Sequence, residues 1–179
     1  MRSAVQARLS VLENQGFTED MPTIDLTYLE TIADGENSII IELVNIFLDQ
    51  IDEFTEGFNT HFSNRDWKNI AAVAHKAKSS VISMGMTEFG EKDLKNLELI
   101  SKYLLIKELE NKMVKSSKEN DDLVNLQKNL NGYPETKILW IKENASEEFV
   151  SSIIDKFKDI CRLAKTDIEF FLENSNSDF

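Results

Sequence analysis

Apolar residues recur at spacings of four and three along this 179-residue chain, and that period fits one kind of secondary structure. Ile40, Val44, Phe47, Ile51, Phe54, Phe58 and Phe62 form one series. Ile70, Ala74, Ala77, Val81 and Met84 form a second, and Val150, Ile154, Phe157, Cys161, Ala164, Ile168 and Phe171 a third. At 3.6 residues per turn each series falls on a single stripe of a helix. Two prolines and six glycines leave long stretches uninterrupted, so the spacing predicts an all-α protein.

Breakers and caps set the predicted boundaries. Val5, Leu9 and Leu12 allow a short N-terminal helix ending at Gly16, within an extension covering residues 1–21. Asp25 can cap a short helix through Ile32, which Asp34-Gly35 closes. A long helix is expected from Glu36 to about Ser63, then a turn at Asn64-Arg65-Asp66 and a helix over 66–84 that Gly85 ends. Leu94, Leu97, Ile100 and Leu104 mark a third long segment, continuing through Leu109 towards Met113 and completing a unit over 22–114. Residues 115–145 read as an insert: a polar turn over Lys115 to Asp122, a short helix over Leu123 to Leu130, and a breaker at Asn131-Gly132-Tyr133-Pro134. Ile138-Leu139-Trp140-Ile141 is assigned to helix, because a lone strand would have no partner. Ser146 can cap a final helix over 146–174, with Glu147 and Glu148 where the helix dipole favours anions; 175–179 is a tail. Four long amphipathic segments predict an antiparallel four-helix bundle with an extra helical insert and a short N-terminal helix.

The formal net charge of -12 argues against binding a phosphate backbone or an anionic membrane surface. No run of about 18 apolar residues and no signal-like N-terminus is visible, so the expectation is a cytoplasmic chain. Cys161 can form no intramolecular disulfide and sits in an apolar stripe, the usual place for an inert buried thiol. Neither histidine follows a glutamate by three residues, since Phe58 precedes His61 and Ala72 precedes His75; this removes the paired Glu-x-x-His di-metal bundle. Zinc spacings and phosphate-binding glycine loops are absent, so neither a metal nor a bound cofactor is expected.

His75 remains. A neutral imidazole is a competent nucleophile near neutral pH and can take up a transferable group if one ring nitrogen is exposed. Lys78, one turn later, can neutralise an incoming phosphoryl group, and Lys76 adds positive potential. From Arg65 to Gly85, four cations (Arg65, Lys68, Lys76, Lys78) face one acid (Asp66), a local +3 in an acidic chain.

Ala74-His75-Lys76-Ala77-Lys78-Ser79-Ser80, with Gly85 ten positions after the histidine and Leu97-Glu98 beyond, resembles the histidine-containing phosphotransfer (HPt) domain and its A-H-x-L-K-G-S pattern. Asp25 to Leu29 is similar to that family's short first helix, the phenylalanine-rich helix to its second, and Asp66-Trp67 to the turn before the histidine helix. The resemblance covers about residues 22 to 100, with the last helix from 146 completing the bundle. It implies that His75 accepts the phosphoryl group, that Lys78 is its charge partner, and that the small Ser79 leaves room for a receiver domain to dock. Ser79 stands where the family has Gly, and Ala77 where it has Leu. Lys76, Ser79, Ile82 and Gly85 are the candidate binding residues, with Ile82 on the docking surface.

On that reading the protein is a phosphorelay intermediate of two-component signalling rather than a self-contained enzyme. His75 would take a phosphoryl group from a receiver-domain aspartyl phosphate and pass it to another receiver aspartate, with Mg²⁺ held by the partner. Partners would be receiver domains of response regulators or hybrid histidine kinases. The alternative is a helical adaptor that is not phosphorylated and binds signalling proteins through the insert, with Tyr133 and Trp140 on the partner surface. A chemotaxis-type kinase fits less well, because the chain contains no ATP-binding domain.

Overall fold

The computed structural model describes Ile24 and residues 26–175, and every element in that range is helical. The expected helix over Val5 to Leu12, the cap at Asp25, the side chain of Phe171 and residues 176–179 lie outside the described residues. The elements are α1 (Leu26–Ile32), α2 (Asn37–Ser63), α3 (Trp67–Ser83), a π-helical turn (Phe89–Leu94) running into α4 (Lys95–Asn111), α5 (Ser117–Asn131), α6 (Glu135–Asn144) and α7 (Glu147–Ser175).

Helices α2, α3, α4 and α7 meet around one core: α2 packs on α3 and α7, and α4 packs on the same two. The core is built from the stripes read in the sequence. Ile40, Val44, Phe47, Ile51, Phe54 and Phe58 of α2 are all buried, as are Ile70, Ala74, Ala77 and Val81 of α3. Phe157 of α7 lies at the centre, edge-on to Phe54 and Phe58 at 6.4 and 5.2 Å and stacked on Phe89 at 6.4 Å. One fully buried ring thereby joins three segments, and such rings contribute beyond their area burial.

The turns obey local stereochemistry. Asp34 and Gly35 adopt positive φ of 51° and 75° and reverse the chain after α1, while Arg65 (φ 52°) and Gly85 (φ 81°) bracket α3. Asp66 caps α3 by accepting from the Asn69 N–H at 3.1 Å, and Ser146 accepts from the Phe149 N–H at 3.1 Å at the start of α7.

Two features depart from the sequence reading. The π turn places buried Phe89 and Leu94 five residues apart; a straight α-helix would rotate them about 140° from one another. Gly90 lies in this turn, and a Cβ there would stand 2.5 Å from Ile82 Cγ1, so the absence of a side chain lets the turn press against α3.

The second departure is in the insert. Lys115 to Asp122 is not a turn: α5 starts at Ser117, because Ser116 and Glu119 form a capping box in which each side chain satisfies the other's backbone N–H. Polar residues in the first turns of a helix conceal its periodicity but not its cap. The insert is also packed: Leu130 and Ile141 are buried and Tyr133 and Trp140 half-buried against the core, with Trp140 edge-on to Phe149 at 5.6 Å. Tyr133 and Trp140 therefore each pack one part of the side chain against the core and leave the rest at the surface.

Candidate functional site

Helix α3 presents His75 outward between the buried Ala74 and Ala77, and the histidine side chain is 64% exposed. Small residues on the buried stripe let α3 lie close to α2 and α4, so His75 stands at the junction of three helices. Two grooves of about 500 Å³ flank it. One runs between α2 and α3 past Leu43, Ile46, Gln50, Ser79 and Ser80. The other lies between α3, α4 and α5 and includes Ala71, Ala72, Leu105 and Leu126.

One ring nitrogen is already engaged. His75 Nδ1 faces Glu98 Oε2 at 3.4 Å across the α3/α4 interface. Glu98 is 3% exposed and is held by two cations of its own helix: Lys95 donates to Oε2 at 3.1 Å and Lys102 to Oε1 at 2.5 Å. Burial alone would push this carboxyl up, but hydrogen bonds and charge from Lys102 and Lys95 hold it below the usual carboxylate range. An ionised Glu98 can only accept, so this contact requires the imidazole tautomer with its proton on Nδ1 and its lone pair on Nε2. The arrangement pairs an exposed imidazole with a buried anion that could stabilise positive charge on the ring.

The candidate residues separate in space. Lys76 is exposed and lines both grooves beside His75, whereas Lys78 is half-buried and lines neither. Ser79 is exposed in the α2/α3 groove, and Ser80 beside it donates to Gln50 Oε1 at 2.5 Å. Ile82 is half-buried, turned towards Gly90. Gly85 serves the chain reversal after α3 and borders neither groove.

The local excess of positive charge is smaller than the sequence count. Arg65 pairs with Glu147 at 3.0 Å and Lys68 with Asp122 at 2.7 Å, so two of the four cations are neutralised by neighbouring helices. The second histidine, His61, faces Asp66 Oδ2 at 3.3 Å and lines neither groove beside His75. Cys161 is buried, and burial pushes its thiol up to about 12, consistent with an inert core residue. Among the described residues no cluster of His, Cys, Asp and Glu could hold a metal ion, and no helix is long and apolar enough to cross a membrane.

Glu98 is the site residue that sequence reasoning does not single out, although Leu97-Glu98 belongs to the phosphotransfer pattern. Its signal is an acid embedded among Leu94, Leu97, Leu99 and Ile100 with lysines three residues before and four after it. A buried acid on a helix is expected to be paired, and the two lysines are spaced to pair it.

No protein-family model matches the chain, nor does any curated protein or any solved structure.

Proposed function

We propose that this protein is a phosphorelay intermediate of the histidine-containing phosphotransfer type, with α2, α3, α4 and α7 as its antiparallel four-helix bundle and His75 as the phosphoryl acceptor. The observation that carries this reading is an exposed imidazole whose Nδ1 faces a buried carboxylate, itself neutralised by two lysines.

In the forward step Nε2 of His75 attacks the phosphorus of an aspartyl phosphate on a receiver domain. The P–N bond forms, the P–O bond to the aspartate breaks, and the aspartate leaves as a carboxylate. The imidazole gains positive charge, which Glu98 stabilises through the proton on Nδ1. Delivery to a second receiver reverses the same steps. Mg²⁺ and the acidic pocket belong to the receiver, so this chain supplies position and electrostatics, which dominate phosphoryl transfer. Lys76, which lines both grooves beside His75, balances the charge of the arriving phosphoryl oxygens, and Lys78, half-buried one turn along and outside both grooves, adds positive potential from further back. The formal net charge of -12 suits a signalling protein that meets other proteins rather than nucleic acid or an anionic lipid surface.

Incubation with phosphorylated receiver domains tests the proposal. Label is expected on His75 and is expected to vanish in His75→Gln; label that persists in that variant overturns it.

A further inference from the structure

Oxygen Oε2 of Glu98 is shared. It faces His75 Nδ1 at 3.4 Å and accepts from Lys95 Nζ at 3.1 Å, while Lys102 takes the other oxygen. The oxygen accommodates both groups at once, and the negative charge felt by the imidazole depends on where the Lys95 ammonium sits.

Lys95 is not free to wander. Its ammonium lies 5.7 Å from the centroid of the Tyr133 ring, in the joint between α5 and α6. On the other side Lys137 of α6 donates to Asn96 Oδ1 at 2.5 Å and lies over Trp140 at 4.4 Å, so a second cation of the insert borders the same corner. Burial would lower the Lys95 ammonium, yet the Tyr133 side chain and Glu98 outweigh it and hold the group above its ordinary value. Lys95 is thus held between Glu98 of its own helix and Tyr133 of the insert, the part of the chain outside the phosphotransfer pattern.

We propose that Lys95, seated by Tyr133, is a positioning residue for His75: by occupying Glu98 Oε2 it limits the pull of that carboxylate on the imidazole and ties the insert to the protonation of the nucleophile. Without Lys95 the carboxylate would bind the imidazolium more strongly and hold more of the ring in its charged, non-nucleophilic form. With Lys95 in place Glu98 still orients the ring while part of its charge is offset. The other charged groups around His75 are Lys68, Lys76 and Lys78 on its own helix, with Lys68 paired to Asp122 of α5, Lys102 on α4, and Glu53 on α2 across one groove. Of these only Lys102 bonds Glu98, on the other oxygen, so Lys95 is the cation that shares Oε2 with His75. The consequence for phosphoryl transfer rests on the reading of His75 as acceptor; the effect on the imidazole does not.

Proton and nitrogen NMR titration of the two imidazoles in the full chain tests this. His61 serves as the internal reference, because its partner is Asp66. In Lys95→Met the His75 midpoint is expected to rise relative to wild type by about half a pH unit, and Tyr133→Leu should move it in the same direction. Lys95→Arg, which restores the cation, should return the midpoint to within about 0.2 units of wild type. Should the loss of the Tyr133 ring disturb packing, Lys95→Met carries the test, since it removes no buried ring. A His75 midpoint that stays in place in folded Lys95→Met, or that moves only together with His61, overturns the proposal. The titration needs no receiver, so its failure is distinct from a failure of His75 to accept label.

Discussion

His75 on α3 and Glu98 on α4 are 23 positions apart in the chain, yet Nδ1 of one faces Oε2 of the other at 3.4 Å. The contact joins an exposed ring to a carboxylate that is almost fully buried, and Lys95 and Lys102 make that burial tolerable.

Stability should therefore depend on the Glu98 charge. Its carboxyl is held below the ordinary value of 4.5 in the folded protein, so the unfolded chain binds the proton more readily. The corresponding stabilisation is fully present above pH 4.5 and is lost as the pH falls from there through the lower folded-state value. Urea midpoints measured between neutral pH and about pH 3 should fall more steeply for wild type than for Glu98→Gln, which lacks this titration. At neutral pH the variant should also be slower in phosphoryl transfer, by roughly 10- to 100-fold, because the imidazolium loses its anion.

Ser79 opens onto the groove between α2 and α3, next to the exposed His75. Ser79→Gln places a longer side chain in the space a receiver would occupy. Transfer to His75 should fall by at least about tenfold with an unchanged circular dichroism spectrum and thermal midpoint, since an exposed helical position tolerates Gln. Transfer at the wild-type rate would place the docking surface elsewhere.

Gly90 tests the π turn. Gly90→Ala sets a Cβ against Ile82 and should destabilise by about 1–3 kcal/mol in urea unfolding, as overpacking does. Truncation of the opposing side chain in Gly90→Ala/Ile82→Ala should recover part of the loss, so the double variant should be more stable than the sum of the two single changes.

Phe157→Ala removes the ring that joins α2, α7 and the π turn. A cost of about 3–5 kcal/mol is expected from chemical denaturation, because the ring is fully buried and the surrounding helices cannot close the cavity.

Much of this arrangement is legible in the order of the residues. The stripes over α2, α3 and α7 mark those helices and their buried faces, since a period of 3.6 residues survives wherever one face is buried along its whole length. The cap at Ser146, the turn at Asn64-Arg65-Asp66 and the reversal at Gly85 follow from chemistry within a few residues. Features set by contact between distant segments are harder to read. The π turn depends on Gly90 meeting Ile82, and the start of α5 depends on a cap with no apolar stripe behind it. His75 is visible as a histidine among small residues, but its pairing with Glu98 depends on how α3 and α4 lie together. The count of four cations likewise misses Glu147 and Asp122, which lie far along the chain and neutralise Arg65 and Lys68.

Phosphorylation of the imidazole itself is the most direct test of the role assigned to His75. After incubation with a phosphorylated receiver domain and Mg²⁺, ¹⁵N-edited NMR of the histidine rings should show phosphate on Nε2 of His75, with His61 unmodified and Nδ1 still protonated towards Glu98. Unmodified His75 in a receiver-competent reaction, or phosphate on any other residue, would contradict it.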